Sequence, residues 1–183
     1  MCFGPRLVTK NDFNHINLFE KTLAQNQLID VLEKLWQERA LDLPYKTAYE
    51  ALILSSIIEK ETAVPKERAQ ISGVFVRRLN MGMRLQADPT VIYGLGSAFD
   101  GNLRRSHLNN KKNPYNTYRN KGLPPTPIAL PGLASIIAAF NPDHSKAIYF
   151  VADGLGGHVF NATLDEHNAA VKKYLLKSTA VEK

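Results

Sequence analysis

Apolar positions in this chain cluster into runs whose spacing predicts a mainly helical protein closed by a small hairpin. The densest run, Ala51 to Ile58, ends in Glu59-Lys60-Glu61-Thr62. Upstream, Thr47 stands three residues before Glu50, the spacing of a capping box, in which side chains satisfy the free N–H groups of a helix start. Downstream, Pro65 disfavours helical backbone at Val64. A helix over about 48–62 follows. At about 100° per residue, Leu54, Ile57, Ile58 and Glu61 share one face, with Ile53 beside them. Glu59 falls about 200° from Glu61, nearer Leu52, Ser55 and Ser56.

The same reading extends along the chain. Residues 1–12 are unpatterned, with Gly4 and Pro5 as breakers. From Phe13 the composition turns helical, and Leu28, Val31, Leu32, Leu35, Trp36 and Arg39 keep helical spacing in one or two helices that end near Ala40. Pro65 suits the first position of the next helix, with Ile71, Val74, Phe75 and Leu79 as its apolar face and Gly82 as its stop. Asp88-Pro89-Thr90 reads as a further start, Asp88 capping a short body Val91–Tyr93 before Gly94. Residues 94–132 are loop-rich, with five prolines. Leu133–Phe140 is a short helix stopped by Asn141-Pro142. Ala147–Ala152 is the clearest strand, Asp153–Gly157 a turn, and His158–Asn161 the returning strand of a hairpin. Thr163 and Glu166 form a second capping box opening a last helix through Leu175, and a frayed tail starts at Ser178. The expected class is α+β: a helical core, a loop-rich segment, a β-hairpin and a C-terminal helix.

Composition narrows the function little. At 183 residues the chain suits one domain with a real core, and 44% apolar with 22% charged residues is ordinary for a globular protein. A net charge of +6 favours acidic partners. The basic residues form only short pairs such as Arg77-Arg78 and Arg104-Arg105, the signature of a solvated face rather than a nucleic-acid footprint. Cys2 is the one cysteine, which excludes an internal disulfide. No apolar run approaches the roughly 20 residues that span a bilayer, so the chain reads as soluble. Its first residues do not form a secretory signal.

The candidate chemistry centres on Glu61. A carboxyl on an apolar stripe loses hydration, and the last turn of a helix carries the negative end of the macrodipole. Both keep the proton on, as a general acid requires. A frayed helix-end acid reaching solvent or a nearby cation satisfies the same pattern. The five histidines lack metal-ligand spacing, so no metal and no cofactor is expected. Gly154-Leu-Gly-Gly157 leads into a strand and lacks a phosphate-loop lysine, and no serine sits in a nucleophile elbow. In the loop-rich segment, tyrosines and asparagines suit sugar recognition, and they equally suit a rigid loop packed by its own rings.

Several stretches together resemble one family. Ser56-Ile-Ile-Glu-Lys-Glu61-Thr62, Gly82-Met-Arg-Leu-Gln-Ala-Asp88-Pro-Thr-Val-Ile-Tyr-Gly94 and Tyr115-Asn-Thr-Tyr118 are similar to motifs of the bacterial endolytic murein transglycosylases. So are Gly122-Leu-Pro-Pro125 and Phe150-Val-Ala-Asp-Gly154 with Gly157-His-Val-Phe-Asn161, in order from about Leu32 to Leu175. The resemblance implies a lyase that cuts the β-1,4 bond between N-acetylmuramic acid and N-acetylglucosamine in nascent glycan strands, leaving 1,6-anhydro ends. It places the catalytic acid, then base, on Glu61. Gln86, Asp88, Tyr115, Asn116, Tyr118 and His158 are the expected substrate-binding residues.

The resemblance also implies cell-wall synthases as partners, no nucleic acid, and a site of action in the periplasm or at the outer face of the inner membrane. Members of the family usually carry a membrane helix and a small glycan-binding domain that this sequence does not display. The chain is therefore expected to be a catalytic-domain fragment or truncated product: 1–27 unmatched, 28–177 catalytic, 178–183 tail. A catalytically silent wall-binding module is the alternative. No second carboxylate is expected to act on the sugar, because Asp88 has a capping role available and Asp153 begins a turn.

Overall fold

The structure is a computed structural model that describes residues 18–174. The unpatterned start and the frayed tail expected from the sequence lie outside the described residues. In order, the elements are α1 (Leu18–Gln37), α2 (Ala48–Glu61), a 3-10 turn (Pro65–Glu67), α3 (Arg68–Asn80), α4 (Asp88–Leu95) and a 3-10 turn (Gly96–Ala98). Then come α5 (Arg105–Asn109), α6 (Leu133–Phe140), β1 (Tyr149–Ala152), β2 (His158–Asn161) and α7 (Leu164–Tyr174). The fold is α+β: packed helices beside one two-stranded antiparallel sheet, in which Tyr149 faces Asn161 and Ala152 faces His158.

The core is built around α2. Every residue from Ala51 to Ile58 is buried, so the helix is covered all round rather than on one stripe. Its two buried serines are satisfied locally: the Ser55 hydroxyl donates to the Ala51 carbonyl and the Ser56 hydroxyl to that of Ile53, both at 2.7 Å. Ser56 also accepts from the Ile128 N–H at 2.9 Å, which ties the proline-rich segment to the helix. At the start of α2, Thr47 accepts from the Glu50 N–H at 3.2 Å as expected. The reciprocal half differs: Glu50 reaches past the cap to the Lys46 N–H at 2.5 Å. α6 lies along α2, and its last residue Phe140 meets Trp36 edge-on at 6.3 Å.

Helix α3 carries the expected face, with Ile71, Val74 and Phe75 fully buried. Gly82, at φ +64°, closes it: the Gly82 N–H donates to Leu79 and the Met83 N–H to Arg78, the paired bonds of a Schellman motif. The pair Arg77-Arg78 is not a solvated face. Arg77 donates to the carbonyls of Ala147 and Asp143, each at 2.7 Å, and Arg78 donates to Ile148 and Leu85, also at 2.7 Å. These bonds fasten the hairpin to α3. They also engage the carbonyls of Ala147 and Ile148, and the strand begins at Tyr149 rather than Ala147 because its partner β2 ends at Asn161 opposite it.

Two further expectations need correction. Helix α4 runs through Gly94 to Leu95 instead of stopping at Tyr93. A glycine is required inside it because a Cβ at 94 would lie 2.1 Å from the Asn113 amide oxygen. The loop-rich segment also holds the short helix α5, too brief to leave a periodic pattern. No helix among the described residues is long and apolar enough to cross a membrane.

Gly73 makes the closest backbone approach in α3. A Cβ there would stand 2.5 Å from the Asp143 carbonyl oxygen and 2.9 Å from the Arg77 guanidinium. Alanine is the better helix former by roughly 0.5–1 kcal/mol. Even so, Gly73→Ala is expected to lose roughly 1–3 kcal/mol in urea denaturation, as overpacked sites do. An unchanged or raised midpoint would show that the 141–147 loop yields freely.

Candidate active site

One cleft, of about 560 Å³, gathers side chains from six parts of the chain. The end of α2 contributes Glu61, α3 contributes Arg78, and the turn into α4 contributes Gln86 and Asp88. Tyr118 comes from the loop-rich segment, and His158 and Tyr149 come from the hairpin. α7 closes one side with Leu164, His167 and Asn168.

Glu61 is half-buried and lines the cleft, and no hydrogen bond reaches its carboxyl among the described residues. Burial pushes its pKa up to about 8, the Asp88 charge pushes the same way, and the Arg78 guanidinium opposes both. At neutral pH the carboxyl is therefore protonated. Glu59, two residues earlier, lives differently. Its Oε2 accepts from the Ser135 hydroxyl at 2.6 Å and the Gly132 N–H at 3.1 Å, holding the start of α6. The 200° between the two acids separates a cleft group from a structural one.

Asp88 does not cap α4. Ala87 occupies the cap position with no side-chain bond, and Asp88 is the first helical residue. Its Oδ1 accepts from the Tyr118 hydroxyl at 2.6 Å. Burial and that bond raise the pKa of the Tyr118 phenol, so it remains a donor. Gln86, just upstream, is the one non-glycine residue with positive φ among those described, at +56°. That conformation is uncommon for a residue with a Cβ. It is held by bonds from the Gln86 N–H to the Thr117 carbonyl at 3.2 Å and from the Ala87 N–H to the Thr117 hydroxyl at 3.0 Å.

The cleft therefore brings together Glu61, Gln86, Asp88, Tyr118 and His158, but not Tyr115 or Asn116. Asn116 is fully buried and donates its amide to the carbonyls of His107, Leu108 and Asn110. Its Oδ1 accepts from the Tyr118 N–H at 3.0 Å. With every amide valence engaged by backbone, it organises the loop and is not free to meet a ligand. Tyr115 shares a hydrogen bond with Thr126 at 2.9 Å and packs edge-on against Tyr93 at 4.9 Å. Asp153 bonds the Leu155 and Gly157 N–H groups and serves the hairpin turn, as expected.

Four contributors escaped the sequence reading. Glu67, buried in the 3-10 turn, accepts from the His158 N–H at 2.9 Å and bonds its Nδ1 at 2.8 Å. It also accepts from the Thr62 hydroxyl at 3.1 Å. Burial pushes the Glu67 carboxyl up, but the bonds from His158 and Thr62 outweigh it and hold the group below its usual range. An ionised Glu67 fixes the His158 proton on Nδ1 and leaves Nε2 as its free ring nitrogen. Glu67 and His158 stand 91 positions apart, so no periodic spacing in the sequence marks this pair.

Arg78 and His167 did leave a signal. Arg78 lies four residues after Val74 and three after Phe75, on the apolar stripe of α3, the same pattern that marked Glu61. His167 lies three before the buried Ala170 on α7 and stacks on Tyr149 at 5.1 Å, with its Nδ1 buried and unpartnered among the described residues. Burial, with the Arg78 charge, keeps this imidazole below its ordinary pKa and so neutral. Tyr149, the fourth, lies under the Arg78 guanidinium at 5.3 Å. No group of three His, Cys, Asp or Glu residues suited to a metal ion exists among the described residues.

Comparison with known proteins gives one consistent result. The family model described as YceG-like family matches residues 10–173. The chain is 42% identical over 129 residues to an endolytic murein transglycosylase of Bacillus subtilis (strain 168), covering 70% of this chain and 35% of that protein. It is 35% identical over 133 residues to the protein of the same name from Streptococcus pneumoniae serotype 2, again over 70% of this chain but 24% of the relative. The chain thus spans about a third of the first relative and about a quarter of the second. A crystal structure of a yceG-like protein from Listeria monocytogenes superposes with a TM-score of 0.65 at 39% identity, covering 82% of this chain and 45% of that one.

The raised pKa of Glu61 has a consequence for stability. Below about pH 4.5, folded and unfolded chains both hold the proton and the group adds no pH dependence. Between about 4.5 and about 8 only the folded chain holds it, so stability falls as pH rises, by at most about 1.4 kcal/mol per pH unit. Glu61→Gln lacks this slope. Denaturant unfolding of both proteins at several pH values should show the variant gaining on the parent up to about pH 8, then a constant difference. A flat difference throughout would mean an ordinary carboxyl.

Proposed function

The chain belongs to the YceG-like family, and we propose that it is an endolytic peptidoglycan lytic transglycosylase. Under this reading it cuts the β-1,4 bond between N-acetylmuramic acid and N-acetylglucosamine in nascent strands and leaves 1,6-anhydro ends. The observation that carries the reading is Glu61, a carboxyl in an open cleft, without a hydrogen bond among the described residues and protonated at neutral pH. It stands where the family motif puts its glutamate.

The chemistry follows from one proton used twice. Glu61 gives its proton to the glycosidic oxygen, which leaves with the bonding pair as C1 gains positive character. The resulting Glu61 carboxylate then takes the proton of the sugar's own C6 hydroxyl as that oxygen bonds to C1. The nucleophile is already attached to the ring, so high effective molarity replaces an activated water. Net charge and atoms balance, and Glu61 ends protonated. Arg78, tied by its guanidinium to two backbone carbonyls, supplies a fixed positive charge that eases the interval in which Glu61 is anionic. Gln86, Tyr118 and the free Nε2 of His158 are placed to hold sugar hydroxyls or acetamido groups. The resemblance supports a site of action in the periplasm or at the outer face of the inner membrane, with cell-wall synthases as partners in this proposal.

Two experiments test the reading. Purified glycan digested in ¹⁸O water should yield 1,6-anhydro muramoyl ends without label. Labelled reducing ends would show a hydrolase, and no products at all would leave a binding module. Glu61→Gln should keep the fold and cut turnover by roughly 10²–10⁴-fold, the usual contribution of a positioned acid. In the parent protein kcat/KM should fall about tenfold per pH unit above about pH 8 as Glu61 ionises. Persisting turnover in folded Glu61→Gln, or a flat alkaline profile, would remove Glu61 from the role.

A further inference from the structure

The cleft holds a second carboxylate whose expected structural duty is not performed. Asp88 leaves the cap position to Ala87, and its side chain faces the same cleft as Glu61. The Tyr118 hydroxyl takes Oδ1 at 2.6 Å, and no protein group bonds Oδ2 among the described residues. Its backbone is held from both sides. Thr117 bonds the Gln86 and Ala87 N–H groups and the Thr90 hydroxyl, the last at 2.9 Å. The positive φ of Gln86 is the local cost of turning the chain so that residue 88 reaches the cleft. As the first residue of α4, Asp88 also sits where the helix dipole favours an anion.

We propose that Asp88 is a catalytic residue that makes no bond and moves no proton, its Oδ2 supplying the negative charge that faces the sugar while C1 carries positive character. The inference rests on the transglycosylase reading above. In the step, Glu61 releases its proton to the leaving oxygen and recovers one from the C6 hydroxyl, and Asp88 begins and ends as the same carboxylate. Its charge favours the step in two ways. It keeps Glu61 protonated at rest, since a like charge nearby disfavours ionisation. It then stabilises the oxocarbenium-like centre electrostatically. The other ionisable groups around the pair are Arg78, Tyr118, Tyr149, His158 and His167. Arg78 opposes the effect of Asp88 on Glu61. Toward Asp88, Tyr118 acts as a positioning residue, through the bond its hydroxyl donates to Oδ1.

The test compares Asp88→Asn, Asp88→Glu and Tyr118→Phe in the full chain. Asp88 is exposed, so Asn should leave the unfolding midpoint close to the parent's. Asp88→Asn should lower kcat by about 10²–10³-fold with KM changed less than threefold, as loss of one electrostatic contact does. The pKa of Glu61, read by ¹³C-carboxyl NMR, should fall toward the ordinary range, and the alkaline limb of residual activity should move to lower pH with it. Asp88→Glu should restore most of the Glu61 pKa, and Tyr118→Phe should leave it raised while lowering kcat less than Asp88→Asn does. Residual product should remain unlabelled 1,6-anhydro ends. A Glu61 titration unmoved in Asp88→Asn, or a loss confined to KM, would overturn the proposal, as would a glycosyl adduct trapped on Asp88. The NMR arm needs no turnover. If the parent yields no anhydro ends, the transglycosylase reading fails by itself.

Discussion

A carboxyl taken out of water keeps its proton unless a cation or a set of donors replaces the lost hydration. At the end of α2, Glu61 receives neither in full. The nearest cation, Arg78, has its guanidinium committed to the carbonyls of Ile148 and Leu85. Everything else about the site depends on this imbalance. It exists because α2 is covered on all sides from Ala51 to Ile58 and so delivers its last residue into enclosed surroundings rather than to the surface. The core and the acid are consequences of the same packing.

Around that acid the rest of the cleft is assembled from backbone discipline more than from side-chain contact. Asn116 spends its whole amide on three carbonyls of the loop beside it. Thr117 clamps the turn before α4, and only Tyr118 of this run reaches the cleft. Glu67 performs the same service on the other side, holding both the backbone and the ring of His158. Asn116, Thr117 and Glu67 are each satisfied by these bonds, which gives one loop conformation instead of several.

Much of this was legible in the sequence because it follows from period and punctuation. α2, α6 and the hairpin appear within a residue or two of their expected bounds, whereas Pro65 opens a 3-10 turn and α3 begins only at Arg68. The capping box of α7 is present in both halves, with Thr163 and Glu166 exchanging bonds at 3.2 and 2.9 Å. What stayed hidden lacks period. α5 is only five residues long, and the duty of Asn116 depends on carbonyls six to nine residues away. Asp88 misled through a sound local rule: an aspartate before a proline suits a cap, but here the Tyr118 hydroxyl thirty residues on competes for it and wins. Arg78 and His167 were readable by the rule that found Glu61, an ionisable residue on an apolar stripe, and the basic pair at 77–78 was instead assigned to solvent.

The bonds from Arg77 and Arg78 to the hairpin join partners about 70 positions apart in the chain. Such links form only after the intervening polypeptide has been brought to heel, and closing long loops is what slows folding. The pocket is thus among the last things the chain completes. While it emerges from the ribosome, the polypeptide can shelter α2 under α3 well before residue 158 exists, yet its cleft still lacks the hairpin wall. A chain built in this order has no finished cleft until the residues beyond 158 have been made and docked.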